Sequence, residues 1–141
     1  MVPFSVTNIA TIGKAIVNLL SSVERLVATT NKYVFIASHT ITLKELFNVV
    51  RKATPGEAWT AEHVDSKVAA AEAREKIAKG NLFAWYELVK YVTFGEGLGD
   101  LGDFRKVVSN DLLGLEREDL DADVKKIVEG IRSSKRLNIL S

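Results

Sequence analysis

Most of this chain carries apolar residues at spacings of three and four positions, the pattern of a helix with one apolar side. The first such run follows residues 2–6, which alternate like a short strand, and Thr7 or Asn8 could cap it. The apolar positions of this run are Ile9, Ile12, Ile16, Leu19, Leu20 and Val23. They share one side of a helix, so the pattern predicts an amphipathic helix that ends before residues 29–31.

The pattern predicts four further helices and two further β segments. A second helix should begin at Thr42, which can form a capping box with Glu45, and should stop before Thr54. Three further helices should cover 67–79, a stretch after Asn81, and about 120–133. Residues 33–37 are an apolar run predicted to form a strand covered on both faces, and residues 59–64 alternate like a strand. The last helix is expected to turn Val124, Ile127, Val128 and Ile131 inward. We therefore predict an α+β fold, mainly helical with three short β segments, in a single domain over residues 1–141.

The composition of the chain excludes several kinds of ligand and catalytic site. The chain has 141 residues, 47% hydrophobic and 26% charged, with a net charge of +1. A near-neutral chain gives no general electrostatic case for nucleic acid or an anionic membrane. There is no cysteine, so disulfides, thiolate metal sites and cysteine nucleophiles are excluded. No apolar run approaches the length that spans a bilayer and no signal-peptide pattern is visible at the start, so we expect a cytoplasmic protein.

The glycine-rich stretch at residues 95–103 lacks the setting of a phosphate-binding loop. Its glycines follow a predicted helix rather than a strand, and the acidic residues among them would repel phosphate. A loop beside a pocket is the favoured interpretation. We expect no metal site, because His39 and His63 stand on separate elements and no ligand-spacing motif occurs. No cofactor is predicted.

Two sets of residues are candidates for a site. His39 lies between a predicted strand and a helix start, where sites often form, although a polar turn histidine is the commoner case. With Glu96 and Asp103 it makes up the proton-handling candidates. The candidate substrate-binding residues are Trp85, Tyr86, Tyr91, Phe94 and Leu98. Aromatic residues at helical spacing usually belong to a core, and a pocket wall or a partner surface is the alternative.

Several segments, in order, resemble the C-terminal portion of fungal NmrA-like, isoflavone-reductase-like proteins, which are atypical short-chain dehydrogenases. The segments are SVTNIATIGKA at 5–15, NKYVFIAS at 31–38, TIT at 40–42, WTAEHV at 59–64, AREK at 73–76, GEG at 95–97, GDF at 102–104 and NDLLGL at 110–115. No single segment is diagnostic, but their order and spacing make the resemblance fairly specific over roughly residues 3–130.

The resemblance implies the fold of a substrate-binding lobe without the dinucleotide-binding half that carries the family's glycine-rich turn and catalytic residues. It therefore argues against redox chemistry, and no catalytic residue of the family carries over to this chain. A lobe of this kind should keep an apolar face that its missing half would cover. We expect a symmetric homodimer that buries part of the helix at residues 9–23.

Two functions follow as hypotheses. The first is a small cofactor-free enzyme that binds a hydrophobic metabolite and promotes cyclisation, isomerisation or dehydration in fungal secondary metabolism. Its aromatic helix would wall the pocket, and residues 96–103 would form a lid. The second is a non-catalytic binding or regulatory module that pairs with itself or with a full-length relative. Of the two, the sequence favours the enzyme.

Overall fold

The computed structural model describes residues 2–95 and 103–139, with side chains up to residue 134. Its elements in chain order are β1 (Phe4–Val6), α1 (Ile9–Leu20), α2 (Val23–Thr29), β2 (His39–Ile41), α3 (Leu43–Ala53), α4 (Ser66–Ala78), α5 (Ala84–Phe94) and α6 (Leu120–Ile139). The described part of the chain is mixed α+β and mainly helical, with six helices and one two-stranded sheet. This agrees with the predicted class, but only one of the three predicted β segments, the one at the start of the chain, is a strand, and β2 was not predicted.

The two strands pair antiparallel and form a small two-stranded sheet. Phe4 lies opposite Ile41, and Val6 lies opposite His39. Phe4 and Ile41 are both buried, and the Phe4 ring meets the Phe94 ring edge to face with centroids 4.7 Å apart. The sheet therefore carries His39 at one end and packs its other end against α5.

The predicted strand at residues 33–37 is wrong. Only Phe35 forms a single bridge there, with Val108, and Tyr33 is almost fully exposed. The Asn110 side chain donates to the Ala37 carbonyl at 2.7 Å and accepts from the Ala37 N–H at 3.2 Å. A side-chain amide thus satisfies the backbone groups that a neighbouring strand would otherwise have bonded.

The predicted strand at residues 59–64 is also wrong. These residues are exposed and have no strand neighbour within the described ranges. The Trp59 Nε1 donates instead to the Thr54 Oγ1 at 2.8 Å, which folds the segment back onto the end of α3. The alternation of apolar and polar residues in this segment is not enough to form a strand, because a strand also needs a neighbouring strand to pair with.

Local signals set most helix boundaries as predicted. Thr42 and Glu45 form both halves of the capping box at the start of α3. The first predicted helix is two helices, because the Ser22 side chain accepts from the Arg25 N–H and begins α2. Gly80 has φ +89° and ends the turn after α4, as its sequence position predicted.

The tightest packing in the described structure joins α4 and α5. Ala70 and Ala73 of α4 are fully buried against Leu88 of α5, and Tyr91 and Val92 pack around them. Small residues on α4 let the two helices approach closely. In α6, Val124 is buried and Val128 half-buried, whereas Ile127 and Ile131 are exposed, so the predicted inward face is only partly correct.

Candidate functional site

Six polar side chains from distant parts of the chain meet where α1, β2 and α6 begin. We call this group the polar cluster; its members are Asn8, Thr11, Ser38, His39, Glu118 and Asp123. The Asn8 Nδ2 donates to the Glu118 Oε2 at 2.6 Å and to the Asp123 Oδ2 at 2.8 Å. One amide group thus bridges two carboxylates, which would otherwise repel each other.

His39 forms its contact with a residue that the sequence did not single out. Its Nε2 lies 2.7 Å from the Asp123 Oδ2, and the His39 side chain is only 8% exposed. A histidine paired with a carboxylate is held in one orientation, which suits either proton transfer or a fixed structural contact. Strand β2 positions the ring, and the first turn of α6 positions the carboxylate.

Glu118 is held as a carboxylate by its neighbours. Burial alone would raise the pKa of this group, but hydrogen bonds from Ser38, Thr11 and Asn8 together outweigh burial and hold the pKa below its usual value. The Ser38 Oγ donates to the Glu118 Oε1 at 2.6 Å, and Thr11 donates to the same oxygen. The anion therefore ties α1 and the β2 strand to the segment that leads into α6.

The polar cluster also contains the atoms that a cation would use. One nitrogen of His39 and one oxygen each of Glu118 and Asp123 lie within 4.8 Å of one another. No spacing of residues along the chain predicts this grouping. The His39 nitrogen already bonds Asp123. Asn8 donates to both carboxylates, and Thr11 and Ser38 donate to Glu118. A cation would therefore have to displace existing hydrogen bonds.

Two of the three predicted proton-handling residues, His39 and Asp103, lie in the described part of the chain, and they have different partners. The Asp103 carboxylate accepts a hydrogen bond from the Arg105 Nη2 at 2.6 Å. This side-chain hydrogen bond is the main cause that lowers the pKa of Asp103. Its partner is therefore Arg105, whereas His39 bonds Asp123. Glu96 and Leu98 lie outside the described residues.

The predicted substrate-binding aromatics divide between the core and the surface. Tyr91 packs against the α4–α5 core, and Phe94 packs on Phe4. Trp85 is about half exposed, and Tyr86 is largely exposed. With Leu82, Phe83 and Val89 they form an exposed apolar patch at the start of α5, which we call the α5 patch.

Two concave regions of the described structure are lined by other residues. A groove of about 580 Å³ between α3 and α6 has a floor that includes Val49 and Val128 and a charged rim that includes Lys125. A polar hollow of about 320 Å³ is lined by Thr11, Lys14, Asn18 and residues 114–118. The six predicted site residues that the structure describes line neither of them.

In the described part of the chain, exposed large aliphatic residues are most numerous on α1 and α2. We call this surface the α1–α2 face; it consists of Ile9, Ile12, Ile16, Val17, Leu20, Val23, Leu26 and Val27, which are 39% to 87% exposed. The opposite side of α1 is buried through Thr11 and Ala15, and the Asn18 Nδ2 donates to the Leu113 carbonyl at 2.9 Å. Helix α1 therefore turns its small and polar side inward and its aliphatic side outward.

Most members of the polar cluster have no pattern in the sequence that links them. Asn8 has the sequence position of a helix cap, and Glu118 and Asp123 lie in an acidic stretch that resembles an ordinary solvated helix start. They are 110 and 115 positions from Asn8. Because no local spacing links residues so far apart, only the fold reveals the group.

Comparison of this chain with known protein families, with curated proteins and with solved structures gave no match. None of the described helices combines the length and the apolar composition needed to cross a bilayer. What the chain does must therefore be inferred from its own contacts, exposure and charge.

Proposed function

We propose that this chain is a non-catalytic binding module whose working surface is the α1–α2 face. The observation that carries the proposal is the orientation of α1, whose aliphatic side faces outward while its polar side is bonded to the rest of the chain. Contiguous exposed apolar surface of this size is rare on isolated proteins and marks sites of association.

The shape of the face favours a protein partner over a metabolite. Small molecules bind in concave sites that enclose most of their surface, and helix faces bind other protein surfaces. The polar hollow near α1 is lined by Thr11, Lys14 and Asn18, so it is on a different side of that helix from Ile9 and Ile16. An apolar protein surface is the partner that fits.

The attachment of α1 supports the same function. Asn8 and Thr11 bond Glu118, and the Arg25 guanidinium of α2 donates to the Leu112 carbonyl at 3.1 Å and to the Asn18 carbonyl at 3.0 Å. These bonds hold both helices without using their aliphatic side chains. The resemblance to the NmrA-like substrate lobe is consistent with this arrangement, since such a lobe has a face that another structure covers.

A double substitution tests whether the face is a surface or a part of the core. At a concentration where the chain is monomeric, we expect Ile16→Asp with Leu20→Asp to leave the thermal unfolding midpoint within a few degrees of the unmodified chain, because both side chains are exposed. At the same concentration, this variant should lose most of the dye binding that the unmodified chain shows with an apolar fluorescent dye. Leu88→Asp is the matched control, which should unfold because Leu88 is buried. Unfolding of the double variant would show that the face is core and would contradict the proposal.

A proton-transfer enzyme acting on a hydrophobic metabolite is the second candidate, and the contact between His39 and Asp123 favours it. A general base has to be reachable by substrate. The chain has two histidines, so acylation by diethyl pyrocarbonate compares His39 directly with the exposed His63. We expect His63 to react and His39 to be protected. Equal reaction rates, read by mass spectrometry, would favour the enzyme.

A further inference from the structure

We propose that the α1–α2 face pairs with the same face of a second copy of this chain, and that the two α1 helices cross at Gly13. The inference rests on the proposed function, because it names the partner of the surface that the proposed function uses. It goes further by specifying the residues that meet across the two-fold axis.

The exposed area fits what a stable dimer needs. The eight side chains of the α1–α2 face together expose on the order of 900 Å², and each partner of a standard interface contributes roughly 800 Å². A second copy supplies an equal apolar area by construction. The eight named residues are all aliphatic, so contact between them buries no charge, and the exposed Lys14 and Glu24 of the same helices have to stay at the rim.

Gly13 is where two helices could approach most closely. It lies between Ile9 and Ile16 on the outward stripe of α1, and a Cβ built on Gly13 would have no atom within 4 Å. A glycine inside a helix lowers its stability by roughly 1 kcal/mol relative to alanine, and a close backbone approach is one structural use for it. The aliphatic side chains around Gly13 form the walls of a shallow notch.

Two-fold symmetry fills this notch. A two-fold axis that passes beside Gly13 and runs perpendicular to α1 sets the two α1 helices antiparallel, so a residue four positions before Gly13 meets one four positions after it in the other copy. Ile9 of each copy then packs against Val17 of the other, on either side of the paired glycines. Lys14 is exposed beside the stripe, where it can remain in water at the rim.

Analytical ultracentrifugation of matched variants tests the surface. We expect the unmodified chain to be a dimer at micromolar concentration, and Ile16→Asp to weaken the dimer by about a hundredfold or more, because each dimer would bury two carboxylates. Ile127→Asp is the matched control, since Ile16 is 52% and Ile127 54% exposed and both are helical. Tyr86→Asp alters the α5 patch and should also leave the dimer intact. Dissociation by Tyr86→Asp instead of Ile16→Asp would overturn the proposal.

Disulfide trapping tests the crossing point. The chain has no cysteine, so Gly13→Cys introduces a single thiol. Paired at the axis, the two thiols should form a disulfide dimer under mild oxidation, because such a bond requires Cα atoms within about 7 Å. Gly130→Cys, at an open position on α6, should stay monomeric on a non-reducing gel. Equal cross-linking of the two variants would overturn the crossing at Gly13.

The outcomes separate this inference from the proposed function. If the unmodified chain is a monomer but binds the apolar dye, and Ile16→Asp with Leu20→Asp abolishes the binding, self-pairing is wrong and a different protein surface covers the face. If the chain is a monomer and that folded double variant binds as much dye as the unmodified chain, both are wrong. A dimer that Ile16→Asp dissociates supports both.

Discussion

Helices α4 and α5 each bury one apolar side against the other helix, whereas α1 and α2 turn their aliphatic residues outward. Ala70, Ala73 and Leu88 lie between α4 and α5, so apolar packing holds that pair. Helix α1 is held by hydrogen bonds from Asn8 and Asn18 on its inner side. The difference teaches that the most apolar helix of a chain need not lie in its core. What decides its position is which side finds partners within the same chain.

The largest expected effect is a loss in the free energy of unfolding when a leucine is shortened to alanine in the α4–α5 pair, compared with the same change in the α1–α2 pair. Leu88→Ala should lower the free energy of unfolding by about 2–5 kcal/mol, because it leaves a cavity in the α4–α5 core. Leu20→Ala, the same change on an exposed residue of α1, should cost less than about 0.5 kcal/mol at concentrations where the chain is monomeric. Urea unfolding of both variants measures the two values. Equal losses would show that the outward face of α1 is packed within the monomer.

A smaller effect should follow from breaking the hydrogen bonds that hold α1. Asn8→Ala should lower the free energy of unfolding by about 1–3 kcal/mol, because Glu118 and Asp123 lose their shared donor. Thermal unfolding at neutral pH measures the loss. Glu24→Ala is a control on the adjoining helix, since this carboxylate is exposed and bonds only its neighbour Ser22 among the described residues. If the two losses were equal, the polar cluster would not hold α1.

The polar cluster should also make stability depend on pH. The pKa of Glu118 lies below its ordinary value of 4.5, so its stabilising contribution is fully present above that pH and is lost as the pH falls through the folded value. Glu118→Gln should therefore be less stable than the unmodified chain at neutral pH, and the gap should narrow in acid. Unfolding curves from pH 7 down to pH 3 measure the gap, and a constant gap would contradict the assignment.

The smallest effect concerns the turn that lets α4 and α5 pair. Gly80→Ala should cost about 1 kcal/mol, because φ +89° is a conformation that alanine adopts only with strain. Gly130→Ala, inside α6 with open space beside it, should have the opposite sign and stabilise by up to about 1 kcal/mol. Calorimetry of the two variants tests the difference, which disappears if the turn can relax.

Local chemistry let the sequence predict several helix boundaries correctly. The capping box of Thr42 and Glu45 and the positive φ of Gly80 each depend on residues a few positions apart. The strand predicted at residues 33–37 was wrong because its backbone partner is the side chain of Asn110, 73 positions away from Ala37. His39 was identified as a candidate, but its partner Asp123 was not, since 84 positions separate them.

The sequence by itself determined which side of α1 is aliphatic, because side-chain spacing along a helix is fixed by its geometry. Only the tertiary structure decided that this side faces outward. The polar groups of Asn8, Thr11 and Asn18 found partners on the segment that leads into α6, and leaving them unbonded inside the fold would have been costly. Within the described chain, the side of α1 that has hydrogen-bond partners is the polar side, and its aliphatic side is exposed.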